Sequence, residues 1–435
     1  MINMVSIIEK KKNGLELSEE EIRGFVKGVT DGSIPDYQTS ALLMAICLQG
    51  MNKQETFTLT DAMLHSGQTM DLTAIKGIKV DKHSTGGVGD KTSLIVAPIA
   101  ASCGVPIAKM SGRGLGFTGG TVDKMESIPG FRIQLSPEEF LHAVETSGMS
   151  IVGQTQDVAP ADKKLYALRD VTATVNNISL ISSSIMSKKL ASGSDAIVLD
   201  VKCGHGSFNK TQEAADELGK YMVEIGTNAG KKVVAVITDM NQPLGDAVGN
   251  SVEVIEAIDT LKCQGPADMT ELALTLAGYM IYCGQKAATP EEGRAMAEDA
   301  LKSGRALETL KKFIKAQGGD PTCVDDYSMF KQPRFTAELK AAEDGFITEI
   351  IADTIGLASQ HLGAGRKTKE DAIDLSAGII LKKKVGAPVK AGDVIAVLYS
   401  DDEEKLAAGL KEAASAYSYG SEAPEIPALV KNVIQ

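Results

Sequence analysis

Tryptophan is absent from the 435 residues and aromatics make up only 4% of them, so Leu, Ile, Val, Ala and Met must fill the interior. A basic excess is also missing, since 45 Lys and Arg face 57 Asp and Glu for a formal charge of −12. That balance disfavours a nucleic-acid or anionic-membrane partner, whose binding rests on clustered cations that neutralise phosphates. A locally positive pocket could still take an anionic small molecule. The six cysteines (Cys47, Cys103, Cys203, Cys263, Cys283, Cys323) are far apart, with no C-x-x-C pair and no His at zinc-finger spacing. They read as reduced and mostly buried, not as metal ligands. The longest apolar region, SLIVAPIAASCGVPIAKM, is broken by Pro98, Gly104 and Pro106, and MINMVSIIEKKKNG lacks a signal-peptide core. A soluble, cytoplasmic protein is the expectation.

The length exceeds what one core organises, which predicts at least two domains. Three textures follow one another. LSEEEIRGFVKGVTDG offers a Ser18/Glu21 capping box followed by Ile22, Phe25 and Val26 at helical spacing, and the region to about residue 68 reads as helices too few to stabilise a core alone. From IKGIKVDKHSTGG onward, β-branched runs such as SDAIVLDVKCGHGSF and KKVVAVITDM end in glycine turns and alternate with helical patterns such as SPEEFLHAVETSG. This is the rhythm of a parallel sheet whose ligands sit beyond the strand carboxyl ends. AEDGFITEI and KKKVGAPVKAGDVIAVLYSDD predict a small β-rich module near the C-terminus. It has a superficial likeness to a biotinyl or lipoyl carrier but no lysine set at a hairpin tip.

Chemistry concentrates in three segments. SGRGLGFTGGTVDKMES (Ser111–Ser127) holds five glycines and contains a literal G-x-G-x-x-G, but the preceding AKMSGR reads as a poor strand end and no ribose-binding acid follows at the required distance, so a dinucleotide site is disfavoured. VDKHSTGGVGDKTS (Val80–Ser93) is no Walker motif, because Lys82 precedes its glycines. Lys82, Ser84, Ser93, Ser111 and Thr121 supply an ammonium and four hydroxyls, and converging loops with bare backbone would cage a phosphate; the alternative is two solvated tight turns. His83, beside a cation, should have a depressed pKa and stay neutral. In KKLYALRDVTATVNNISLISSSIMSKK, Ser184 and Lys188 share a helix face and, with Arg169, offer donors suited to the carbonyl oxygens of a flat heterocycle, unless the segment is simply a solvated basic face.

In this order the three segments resemble the thymidine and pyrimidine-nucleoside phosphorylase family, whose signature S-G-R-G-L-x-x-T-G-G-T-x-D-K-x-E is matched at every fixed position. The resemblance covers essentially the full chain. It implies an α/β fold: a small all-helical domain (1–68 and 162–192) hinged to a large α/β domain with a mainly parallel sheet (75–157 and 196–335), and a C-terminal β-rich α+β module (340–435). It further implies a homodimer formed through the helical domain. The implied reaction is reversible phosphorolysis of pyrimidine nucleosides such as uridine, thymidine and deoxyuridine. No organic cofactor is needed, and inorganic phosphate is the co-substrate.

By this resemblance the phosphate ligands are Lys82, Ser84, Ser93, Lys109, Ser111 and Thr121. Arg169, Ser184, Lys188 and Tyr166 hold the base, and His83 contacts a ring carbonyl. Asp170 orients Arg169 or a sugar hydroxyl, while Leu115 and Phe208 wall the pocket. Catalysis would fall to His83, Arg169 and Lys188. A potassium site would comprise Gly89, Lys91, Leu244, Ala247 and Glu256. Lys91 replaces a common threonine there; the change is harmless if the ligand is a backbone carbonyl, whereas an inward ammonium would replace the ion. A thymidine-restricted phosphorylase and an anthranilate phosphoribosyltransferase-like enzyme, which shares the architecture, are the alternatives.

Overall fold

Local capping signals set the N-terminal helices. Ser18 accepts from the Glu21 N–H and Glu21 reaches back to the Ser18 N–H, completing the predicted capping box. Asn52 and Glu55 repeat the device. The helices are α1 (Met4–Lys12), α2 (Glu19–Asp31), α3 (Asp36–Gln49) and α4 (Lys53–Leu64) in a computed structural model that describes residues 3–114, 119–154, 157–366, 368 and 371–435. Phe25, Leu42, Leu43, Ile46 and Leu59 point into a shared core that also takes Ala161, Leu165 and Leu180 from far along the chain. So small a bundle would otherwise leave much of its apolar surface wet.

The central region runs β1 (Val80–Ser84), α5 (Thr92–Ser102), β2 (Ile107–Ser111), α6 (Thr121–Met125), α7 (Pro137–Ser147), β3 (Met149–Gly153), α8 (Pro160–Val171), α9 (Ile178–Ala191), β4 (Ala196–Cys203), α10 (Gln212–Asn228), β5 (Lys232–Asp239), β6 (Ala247–Gly249), α11 (Ser251–Leu261), α12 (Ala267–Cys283), α13 (Pro290–Lys302) and α14 (Arg305–Ala316). β1, β4 and β5 pair in parallel, and β2 and β3 form a second parallel pair. Every residue of β4 is buried: Val198 faces the core shared with α5 and α12, while Ile197, Leu199 and Val201 face α9 and α10. A sheet covered on both faces needs such a continuous apolar run.

The last part contains β7 (Phe335–Lys340), β8 (Gly345–Ile350), α15 (Ala352–Leu362), β9 (Gly378–Leu381), β10 (Pro388–Val389), β11 (Val394–Ser400), α16 (Glu403–Ala414), β12 (Tyr417–Gly420) and β13 (Val430–Ile434). β6 joins the sheet β6-β9-β11-β7, so the central region donates a strand to the C-terminal one.

One expectation changes and two boundaries gain detail. Residues 107–111 form a strand although AKMS looked unpromising; parallel pairing and burial on both sides override weak propensity. β7 begins at Phe335, the last residue of the stretch assigned to the α/β domain. β13 leaves the C-terminal module and pairs antiparallel with β5, covering an edge of the main sheet that would otherwise be open. All six cysteines are free; Cys203, Cys283 and Cys323 are buried and Cys263 is exposed. Among the described residues no helix is long and apolar enough to cross a membrane.

Glu55 is 3% exposed and receives the Lys11 ammonium at 2.9 Å, the Leu17 N–H at 2.8 Å and its own cap N–H from Asn52 at 2.8 Å. Glu55→Ala strands a buried ammonium and two N–H groups and is expected to cost about 3–5 kcal/mol. Urea unfolding of the helical region checks this, and a loss under about 1 kcal/mol would place Glu55 outside the core network.

Candidate active site

β1 delivers Ser84 to the first glycine loop, where Gly86 turns with φ +96° and donates its N–H to the Ser84 hydroxyl at 3.1 Å. The loop ends in α5, placing Ser93 in the first turn, where free N–H groups favour an anion. β2 delivers Ser111 to the second loop. That loop is closed by Asp123, which accepts from the Gly114 N–H at 2.7 Å and pairs with Arg113 and Arg366, each at 2.9 Å. Gly120 is required there, because a Cβ would fall 2.0 Å from the Gly114 nitrogen. Lys124 stitches the loops together, donating to the Asp90 carbonyl at 2.7 Å and pairing with Glu253 at 2.7 Å. The two loops converge.

The opposite wall is α8 and α9. Arg169 donates to the backbone carbonyls of Thr174 (3.2 Å), Leu180 (3.0 Å) and Val175 (2.8 Å), which fix its plane and leave N–H groups toward the cleft. Tyr166 stacks 5.9 Å from its guanidinium. Lys188 donates to Ser184 at 3.0 Å and forms a short contact with the Asp162 carboxylate.

Between the walls lies a cleft of about 410 Å³. His83, Ser84, Ser93, Lys109, Ser111 and Thr121 line one side, and Tyr166, Arg169, Ser184 and Lys188 the other, with Phe208 at the edge and 58% exposed. Lys82 sits beneath the surface, contacting the Thr92 hydroxyl and lying 3.3 Å from Asp200 and 3.8 Å from Asp90. Asp170 is exposed and does not line the cleft, so the three carbonyls, not Asp170, orient Arg169. Leu115 lies outside the described residues. The potassium set does not fit an added ion, because the Lys91 ammonium points inward among Leu244, Ala247 and Glu256.

Sequence reading missed the groups that organise these ligands. Asp81, on β1, is fully buried between Lys109 at 3.3 Å and Lys189 at 2.8 Å. Asp200 lies between Lys82 and Lys202, the latter at 2.8 Å, and accepts from Thr238 at 2.7 Å. Asp162 holds Lys188. An acid inside an apolar strand, as in SDAIVLDVKC, is the signal that could have flagged Asp200.

Electrostatics follow from burial. Desolvation, reinforced by Lys189, Lys109 and Lys82, pushes His83 well below its ordinary value, so the imidazole is neutral at physiological pH. Burial would raise Asp90, but Lys82, Lys202 and Lys124 hold it well below the usual carboxylate range. Burial pushes Lys109 down to about 7 against the pull of Asp81, with Lys189 and Lys82 adding repulsion.

The family profiles described as glycosyl transferase family, helical bundle domain, glycosyl transferase family, a/b domain, and pyrimidine nucleoside phosphorylase C-terminal domain match residues 5–67, 76–307 and 346–420. The pyrimidine-nucleoside phosphorylase of Geobacillus stearothermophilus is 57% identical over 93% of both chains, and that of Bacillus subtilis (strain 168) 58% identical over 92% of this chain and 93% of its own. Among solved structures, anthranilate phosphoribosyltransferase from Thermus thermophilus superposes with a TM-score of 0.58 at 21% identity, covering 71% of this chain and 98% of its own, a likeness of fold alone. With all three family profiles in order along one chain and such identity across its length, this protein belongs to the pyrimidine-nucleoside phosphorylase family.

Proposed function

We propose that the chain catalyses reversible phosphorolysis of uridine, thymidine and deoxyuridine, giving the free pyrimidine and (deoxy)ribose 1-phosphate. The carrying observation is one cleft in which hydroxyls and an ammonium on two converging loops face an Arg–Ser–Lys wall. In this reading Ser84, Ser93, Lys109, Ser111 and Thr121 hold phosphate, and Lys82 supports them from below through Thr92. A phosphate oxygen attacks C1′ as the bond from C1′ to the ring nitrogen breaks, and that electron pair passes into the pyrimidine carbonyls. Arg169, Lys188 and the N–H of neutral His83 stabilise the departing base, which then takes a proton from solvent. The protein supplies orientation and preorganised charge, and no side chain forms a covalent bond. Phosphate and base bound on facing walls place attack opposite the leaving group, so the anomeric centre inverts.

A thymidine-restricted enzyme is the second reading, and turnover of the three nucleosides separates the two. Release of uracil from uridine and phosphate is the expected result, and no phosphorolysis of any pyrimidine nucleoside would sink the proposal. Arg169→Ala should lower kcat/KM by about 10²–10³, the usual loss when one donor to developing charge is removed. Near-normal turnover would take Arg169 out of the site.

The Lys109 state makes anion binding pH-dependent. A bound anion favours the ammonium, so binding is strongest below about 7, where Lys109 is already charged. As pH rises through that value, binding must recruit a proton and weakens by up to about tenfold per unit. Sulfate, with one charge state across this range, is the probe. Its inhibition against phosphate should fade with rising pH in the parent enzyme and lose that slope in Lys109→Met; a flat parent profile counts against the assignment.

Dimerisation through the helical domain is part of the proposal. Val5 on α1 and Tyr37, Met44 and Leu48 on α3 are large apolar side chains left exposed, the last three near one stripe of the helix. Light scattering should give twice the chain mass, falling to one chain in a Tyr37→Glu, Leu48→Glu variant. A monomeric parent protein refutes it.

A further inference from the structure

Lys91 immediately precedes α5, at the far end of the first glycine loop, and its side chain has no exposure to solvent. The ammonium donates to the Ala247 carbonyl at 2.8 Å and the Leu244 carbonyl at 3.1 Å, and it makes a short ion pair with Glu256. Three acceptors meet three N–H donors, so its capacity is used. Glu256 is held in turn: its other oxygen accepts from the Asp246 and Ala247 N–H groups at 2.8 and 2.9 Å. The cage is tight on the remaining sides. A Cβ at Gly89, whose φ is +73°, would fall 2.5 Å from the Leu244 oxygen, and one at Gly245 would fall 2.9 Å from the Lys91 nitrogen. Burial pushes Lys91 down, but Glu256 and Glu253 outweigh it and hold the ammonium above its ordinary value. Burial also pushes Glu256 up; with two N–H groups and an ammonium converging on it, the charged pair is the state that satisfies every partner.

Two backbone carbonyls and one carboxylate converging on a single point, with a glycine backbone packed close by, form an all-oxygen donor set suited to a hard cation. The structure fills that point with a side chain of the chain itself. We infer that the Lys91 ammonium is a tethered replacement for a potassium ion, so that this enzyme works without one. Its place explains its use. Gly89 to Lys91 end the phosphate loop, and Leu244 to Ala247 lead into β6, which pairs with β9 of the C-terminal module. Lys384, from that module, grips the same segment at the Pro243 and Gly245 carbonyls, at 2.5 and 2.7 Å. Lys91 is therefore a positioning residue: it pins the loop that carries Ser84 and Ser93 to the segment that anchors the C-terminal sheet.

The test uses full-length protein exchanged into tetramethylammonium buffer and titrated with KCl at constant ionic strength, reading both melting temperature and phosphorolysis. The rate reading rests on the proposed activity; the melting reading does not, so the two can fail separately. The parent protein should change in neither. Lys91→Thr, which removes the ammonium but keeps the carbonyls and Glu256, should lose at least about tenfold in rate without potassium and regain stability and rate as the ion binds in the emptied position. Lys91→Met, which fills the space without charge, should be slow and insensitive to potassium. A parent protein whose melting temperature or rate rises with potassium overturns the inference, as does a folded Lys91→Thr that is indifferent to it. If Lys91→Thr does not fold, the parent titration still decides.

Discussion

The Asp81 carboxylate holds the cleft together. It sits near the start of β1, without exposure, and pairs with Lys109 from β2 and Lys189 from α9. One side chain thus joins the first glycine loop, the second glycine loop and the helical wall. Burial alone would favour its neutral form, yet the two ammonium groups hold its pKa below the ordinary value. Losing it would leave two buried cations unpaired at the floor of the site, a penalty of about 3–5 kcal/mol by comparison with other broken buried pairs. It would also release the register between the walls, which the reaction cannot tolerate, because misplacement by an ångström is expensive in rate.

This explains how a chain of net charge −12 presents a positive cleft. Lys82, Lys109, Lys189 and Lys202 are all buried, and Asp81, Asp90 and Asp200 are interleaved among them. The carboxylates offset most of the cost of burying the lysines but leave an excess of positive charge for an anion to complete. Burial pushes Lys109 down to about 7, and repulsion from Lys189 and Lys82 adds to it. Burial, with the same lysines adding repulsion, keeps His83 neutral, so it can donate one hydrogen bond without adding a further charge.

Much of this was legible in the sequence where the signal is local. The Ser18/Glu21 capping box and the shared face of Ser184 and Lys188 depend on spacings of a few residues, and the structure contains both. What escaped acts through space. Asp162 and Lys188 are far apart in sequence, as are Asp81 and Lys189, and each looks like an ordinary surface charge until the fold brings it to its partner. Asp170 misled for the converse reason: adjacency to Arg169 along a helix points the two side chains in different directions, and only Arg169 turns inward. β2 forms because pairing and burial reward it, and β13 because it pairs with the edge of β5, which no local propensity reveals.

α9 decides how the two walls can move. Leu180, near its start, belongs to the helical core with Phe25 and Leu59, whereas Met186 and Leu190, further along, pack with Leu199 and Met222 against the sheet. Lys188 faces the cleft between these ends, and the next residue is tied to Asp81. A rigid hinge between two independent bodies would have to pull one of these cores apart. The helical bundle is joined to the sheet through α9, which packs on α4 at one side and on α10 at the other. Ser184 and Lys188 are carried on that shared element, so neither wall can shift along α9 without moving them.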